Sequence, residues 1–134
     1  MIGGFTLLGS AALGQRSREY FPLAHVVVTA TPGNEAAILL DEVSKFAKDR
    51  KLKIGSGSFP KDGRWVTNIA IDFGIDSTVT IGNFLSENEF YVIAYSHEDV
   101  KTWVNLWNDL IDRIGTRVGK DHIRVVKPAP SSAL

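Results

Sequence analysis

The hydrophobic and polar positions fall into blocks of two different periods. Val26-Val27-Val28-Thr29-Ala30 is an unbroken β-branched run and predicts a buried strand. Asn34 and Glu35 then suit a helix start, as cap and as acid at the positive end of the dipole. Ala36, Leu39, Leu40, Val43, Phe46 and Ala47 recur every three or four residues, on one face of a helix. Lys48, Arg50 and Lys51 fall at its carbonyl end.

The period then shortens to two. Residues 53–59 predict a weak strand, because Gly55 and Gly57 lower its β preference and mark a bulge or an exposed edge. Pro60-Lys61-Asp62-Gly63 is a turn signal. Beyond it Trp65, Thr67, Ile69, Ile71 and Phe73 alternate with Val66, Asn68, Ala70 and Asp72, so both faces are partly apolar. Residues 78–85 and 90–95 complete an antiparallel meander through the turns Gly74-Ile75-Asp76 and Ser86-Glu87-Asn88-Glu89.

Helical spacing returns after Ser96, which with Asp99 approximates a capping box. Val100, Trp103, Val104, Trp107, Leu110, Ile111, Ile114 and Val118 form the apolar stripe. Gly115 lies inside this helix and costs about 1 kcal/mol relative to alanine, and Gly119 ends it. Ile123-Arg124-Val125-Val126 predicts the last strand. The expected fold class is α+β: two helices packed on one face of an antiparallel sheet, with an extra strand or hairpin. The order β-α-β-meander-α-β resembles the ferredoxin-like arrangement over residues 24–127, in element order only. Residues 1–23 are expected as an N-terminal arm and 128–134 as a flexible tail.

Composition changes this picture little. Apolar residues at 44% and charged residues at 22% are ordinary globular values for one domain of 134 residues. Fifteen basic and fifteen acidic residues cancel, which removes any bulk attraction to nucleic acid. The absence of cysteine excludes disulfides, thiolate metal sites and a cysteine nucleophile. No apolar run reaches the roughly 18 residues of a membrane span. Met1 to Leu13 is a signal-like apolar stretch ending in small residues, without a preceding Lys or Arg, so the localisation stays open between cytoplasmic and exported.

Candidate chemistry is sparse. Gly55, Gly57, Lys61 and Arg64 combine backbone donors with cations, a weak anion-binding pattern that lacks the lysine-threonine or lysine-serine pair and the helix of a phosphate loop. His97 stands beside Glu98 and Asp99, where helix capping explains the acids equally well. With Asp72 and Tyr95 it makes the first polar set to consider for catalysis. His25 and His122 begin two strands expected to be neighbours, but without metal-ligand spacing. The acids Asp72, Asp76, Glu87 and Glu89 flank turns, where solubility and local hydrogen bonding account for them.

Trp65, Trp103 and Trp107 are the interface candidates, with core packing as the competing reading for the helical pair. Neither metal nor cofactor is implied. The expected function is a small non-enzymatic interaction or assembly domain that associates through a sheet face or edge, with itself or with a protein partner. The alternative is a ligand-binding or enzymatic protein of the dimeric α/β-barrel type, with its pocket between sheet and helices. RNA binding on Tyr91 and Tyr95 ranks last, because the RNP signature is missing.

Overall fold

The β-branched run begins earlier than its pattern suggests. β1 spans Phe21–Thr29, so the last three residues of the expected arm, Phe21-Pro22-Leu23, are strand, bulged between Pro22 and Ala24. The computed structural model describes residues 20–30, 34–74, 76–86 and 88–127, and of 34, 35, 84 and 85 the backbone alone. The expected arm up to residue 19, the turn at 31–33, the Asn34 cap, Ile75, Glu87 and the tail from 128 lie outside the described residues.

The helix of period 3.6 forms as α1, Asn34–Asp49. The meander has four strands: β2 (Ile54–Lys61), β3 (Arg64–Asp72), β4 (Ser77–Ser86) and β5 (Glu89–Ser96). Asp62 and Gly63 both take positive φ, 52° and 78°, in the two-residue turn that matches the right-handed twist of a hairpin. α2 is Val104–Val118, and a single turn of 3-10 helix (Lys120–His122) leads to β6 (Ile123–Val125).

α2 starts eight residues after Ser96. Ser96 is held in β5 by register with both Phe21 and Ser77. Its hydroxyl therefore serves a turn carbonyl, and the helix begins at Trp103 without a side-chain cap. Gly115 has a tertiary reason. A Cβ there would meet Ile123 and Lys120 at 3.3 Å, so glycine lets α2 approach β6 closely. Gly119 leaves the helix at φ 101°, and its N–H returns to the Gly115 carbonyl.

The sheet order is β2-β3-β4-β5-β1-β6, antiparallel throughout. β5-α2-β6 is a split unit with β1 between its strands. β1-α1-β2 is a wider one that reaches across β5, β4 and β3. One face carries the core: Val26 and Val28, Ile69 and Ile71, Val79 and Ile81, Phe90 and Val92. Leu39, Val43 and Phe46 of α1 and Leu110 and Ile114 of α2 close over it with no exposed surface. Each such side chain contributes about 1.5–3 kcal/mol by leaving water. No helix among the described residues is long and apolar enough to cross a membrane.

Trp103 and Trp107, which the sequence offered either for core packing or for an interface, are buried in this core. Their rings meet edge to face at 6.5 Å, and the Trp103 indole N–H is satisfied by the Val100 carbonyl at 3.0 Å. A charged layer seals the two helices on the outside. Glu42 accepts from Arg113 and Arg117 of α2, Arg113 reaches Asp49, and Arg50 reaches Asp109.

Candidate functional site

The outer strand β2 is exposed at all eight residues. It pairs with β3 on one side, and no strand among the described residues covers the other. The ladder phase follows from one bond, Asp72 N–H to the Lys53 carbonyl at 2.9 Å. Hydrogen-bonded pairs in an antiparallel ladder alternate with unbonded ones. Gly55, Gly57, Phe59 and Lys61 therefore turn their amides toward β3, and Ile54, Ser56, Ser58 and Pro60 turn theirs outward. That leaves three outward N–H donors, at Ile54, Ser56 and Ser58, because proline has none.

The side chains on this edge divide by parity. Ile54, Ser56, Ser58 and Pro60 share the helix-side face with Trp65, Thr67 and Ile69. A trough of about 510 Å³ runs between them and α1, where Leu40 and Ser44 form the opposite wall. Lys53, Gly55, Gly57, Phe59 and Lys61 face the other way. Trp65 is 67% exposed, opposite Pro60 at the outer end of the hairpin, and Phe59 and Ile54 are exposed as well. Alternation predicted the face of Trp65. Its exposure comes from the length of the hairpin, because β3 pairs with β4 only from Asn68 onward.

That outer end is tied down by Asn83. The β4–β5 register shifts between Gly82 and Ser86, and the β3–β4 ladder lapses at the same place. The Asn83 side chain accepts the Thr67 N–H at 2.9 Å in place of a ladder carbonyl, and its own carbonyl accepts from the Arg64 guanidinium at 2.9 Å. Sequence reasoning had no signal for this beyond a buried-strand asparagine. The anion-binding set of Gly55, Gly57, Lys61 and Arg64 lies along this ribbon. Gly55 and Lys61 are six strand residues apart, or about 20 Å, so the four do not surround one point.

The first polar set divides too. Thr78 pairs with both Tyr95 and Asp72, which places those two on the helix-free face two strands apart. His97 sits elsewhere, in a buried polar cluster at the ends of β4 and β5. Its Nε2 is 3.6 Å from Asp76 Oδ1, beyond hydrogen-bond length, and Tyr20 meets its ring edge to face at 4.6 Å. Ser96 donates to the Asp76 carbonyl at 2.7 Å and accepts from Ser77 at 2.9 Å. Both hydroxyls are thus committed to holding the Asp76 turn, where φ is 67°. Asp76, not Asp72, is the acid whose carboxylate approaches His97 across the strand ends.

His25 and His122 stand at opposite ends of the β1–β6 pairing. His122 bonds the Thr29 carbonyl through Nδ1, four residues or about 13 Å along β1 from His25. His25 lines a groove of about 540 Å³ between β1 and α2, walled by Leu23, Trp107, Ile111 and the exposed Val125. Its Nε2 is buried and has no hydrogen-bond partner among the described residues. Burial, with Arg124 second, holds its pKa below the ordinary histidine value. No group of three or more potential metal ligands occurs among the described residues.

Set against known proteins, the chain matches no family model and is similar to none of the curated sequences, so its edge strand, hairpin and polar cluster stand on their own geometry.

Proposed function

We propose that this chain is a small interaction domain whose docking element is the outer edge of its sheet, β2 supported by β3. The observation that carries this reading is the row of outward amides at Ile54, Ser56 and Ser58 on a strand of eight exposed residues. An uncovered strand of this length is a template for pairing with another chain, and folds that do not use such an edge normally shorten, cover or bulge it. Exposed Trp65, Phe59 and Ile54 add the apolar surface that an added strand and its flanks bury. The same proposal includes the finer topology, a ferredoxin-like arrangement of β1, β4, β5 and β6 with two helices, enlarged at one edge by β2 and β3. The enlargement is the docking element.

The test is a pair of measurements on the full chain. Sedimentation gives its oligomeric state, and amide exchange follows β2 with and without a neutral peptide alternating valine and threonine. A dimer with protected Ile54, Ser56 and Ser58 amides supports the reading, and so does a monomer in which the peptide protects them. A monomer whose β2 amides exchange freely, whatever extended peptide is added, sinks it.

A further inference from the structure

Resting on the edge-strand reading, we propose that the strand added to β2 is an acidic segment of a protein partner, with apolar residues at alternate positions. The charge around this edge is mostly positive although the chain as a whole is neutral, with Asp72 the acid across the ladder from Lys53. Residues 51–64 hold Lys51, Lys53, Lys61 and Arg64 against the single carboxylate of Asp62. Lys51, Lys53 and Lys61 are exposed and make no ion pair among the described residues. Lys53 and Lys61 lie on the helix-free side near the two ends of the strand, with Gly55 and Gly57 between them. A Cβ built on either glycine meets nothing, so that side offers open space bounded by two cations. Acidic side chains of an incoming strand fit there.

The other side of the same strand asks for the opposite chemistry. The trough between β2 and α1 is walled by Ile54, Ile69 and Leu40, with hydroxyls from Ser44, Ser56 and Ser58. Side chains of an added strand alternate between its two faces, so residues entering this trough are small and apolar while their neighbours meet the lysines.

A second copy of the chain fits less well. Antiparallel self-pairing centred on Ser56 sets Lys61 of each protomer opposite Lys51 of the other, and like charges placed directly opposite are destabilising. It also supplies the trough with little apolar material besides Ile54.

Three seven-residue peptides test this against the full chain: valine alternating with glutamate, with lysine and with threonine. The glutamate peptide is expected to bind about ten-fold more tightly than the lysine peptide in about 50 mM salt, with the contrast shrinking in about 500 mM. Amide shifts should map to Ile54, Ser56 and Ser58. Ser56→Pro removes an outward N–H that serves no ladder bond, so it should abolish binding while circular dichroism and the melt stay unchanged. The double variant K53E/K61E should reverse the preference.

Equal binding of all three peptides at β2 overturns the acidic assignment and leaves the edge-strand reading standing. Protected β2 amides in a stable dimer without peptide make the occupant a second copy, which also overturns it. Glutamate-peptide binding that survives Ser56→Pro, or shifts that map elsewhere, places the anionic site off this edge and overturns it too. No binding by a monomer overturns both this proposal and the reading beneath it.

Discussion

Arg113 grips Glu42 across the helix pair through two nitrogens, Nε and Nη2, each 2.7 Å from Oε2. Glu42 is only 5% exposed, and Arg117 takes its second oxygen at 2.8 Å. The Arg113 guanidinium also lies 5.6 Å from the centre of the Phe46 ring. A buried carboxylate stripped of its partners costs more than the pair contributes net, because its desolvation is then uncompensated. Glu42→Ala should cost roughly 2–3 kcal/mol, below the loss for a fully enclosed pair because both arginines reach water. Arg113→Ala should cost a comparable amount, since it leaves the buried acid with Arg117 alone. Arg50→Ala, which breaks only an exposed contact to Asp109, should move stability by less than about 1 kcal/mol. Urea midpoints of the three variants check the order.

Asn83 substitutes for missing ladder at the outer end of β3. Asn83→Ala leaves the Thr67 N–H without its acceptor and should cost about 1–2 kcal/mol. The effect should be local as well as global. Amide exchange at Thr67 should accelerate far more than at Ile71, which pairs with Val79 in the regular ladder. Equal acceleration at the two sites would mean that Asn83 supports the whole sheet and not the hairpin.

The local elements were legible because their causes are local. The period of Leu39, Val43 and Phe46 produced α1, and Asp62-Gly63 between alternating runs produced the hairpin. What escaped depends on contacts distant in sequence. Ser96 reads as a helix cap, yet Phe21 and Ser77 on neighbouring strands hold it extended. Glu42 stands three residues after Leu39 and four before Phe46, so it shares their buried face, and the arginines that make this tolerable lie on the other helix. Trp65 was recognised as an interface candidate from its chemistry. For Trp103 and Trp107 the helical stripe allowed core packing or an interface, and they went to the core. The place of β2 at the sheet edge, on which the functional proposal stands, was signalled in part by Gly55 and Gly57, but which strands stand beside it is a property of strand order that no local pattern records.

The Asp62-Gly63 turn closes the β2–β3 hairpin. Gly63 holds φ at 78°, where a Cβ is strained even though open space surrounds it. Gly63→Ala should therefore cost about 1 kcal/mol from backbone strain alone. Asp62, at φ 52°, tolerates the left-handed region better than most residues, and Asp62→Asn should be nearly neutral. Asp62→Val should destabilise more than either. Thermal melts rank the three, and loss of the Lys61–Arg64 cross-strand contacts by NMR shows whether the cost is paid at the hairpin.

His25 gives the fold a pH dependence whose sign is fixed by its environment. Burial, with Arg124 second, lowers its pKa from the ordinary 6.5, and among the described residues its buried Nε2 has no acceptor to receive a proton's hydrogen bond. Tyr91 is its ring neighbour at 5.5 Å. Above 6.5 the folded and unfolded chains both hold His25 neutral, so it contributes no slope there. Below 6.5 the unfolded chain takes up the proton first, and stability falls as the pH drops toward the lowered folded value, then levels off beneath it. The melting temperature should decline through that window with a component that His25→Gln removes. Arg124→Gln should reduce the same component without abolishing it, because desolvation is the larger cause. If the decline were unchanged in His25→Gln, the acid sensitivity would belong to another group.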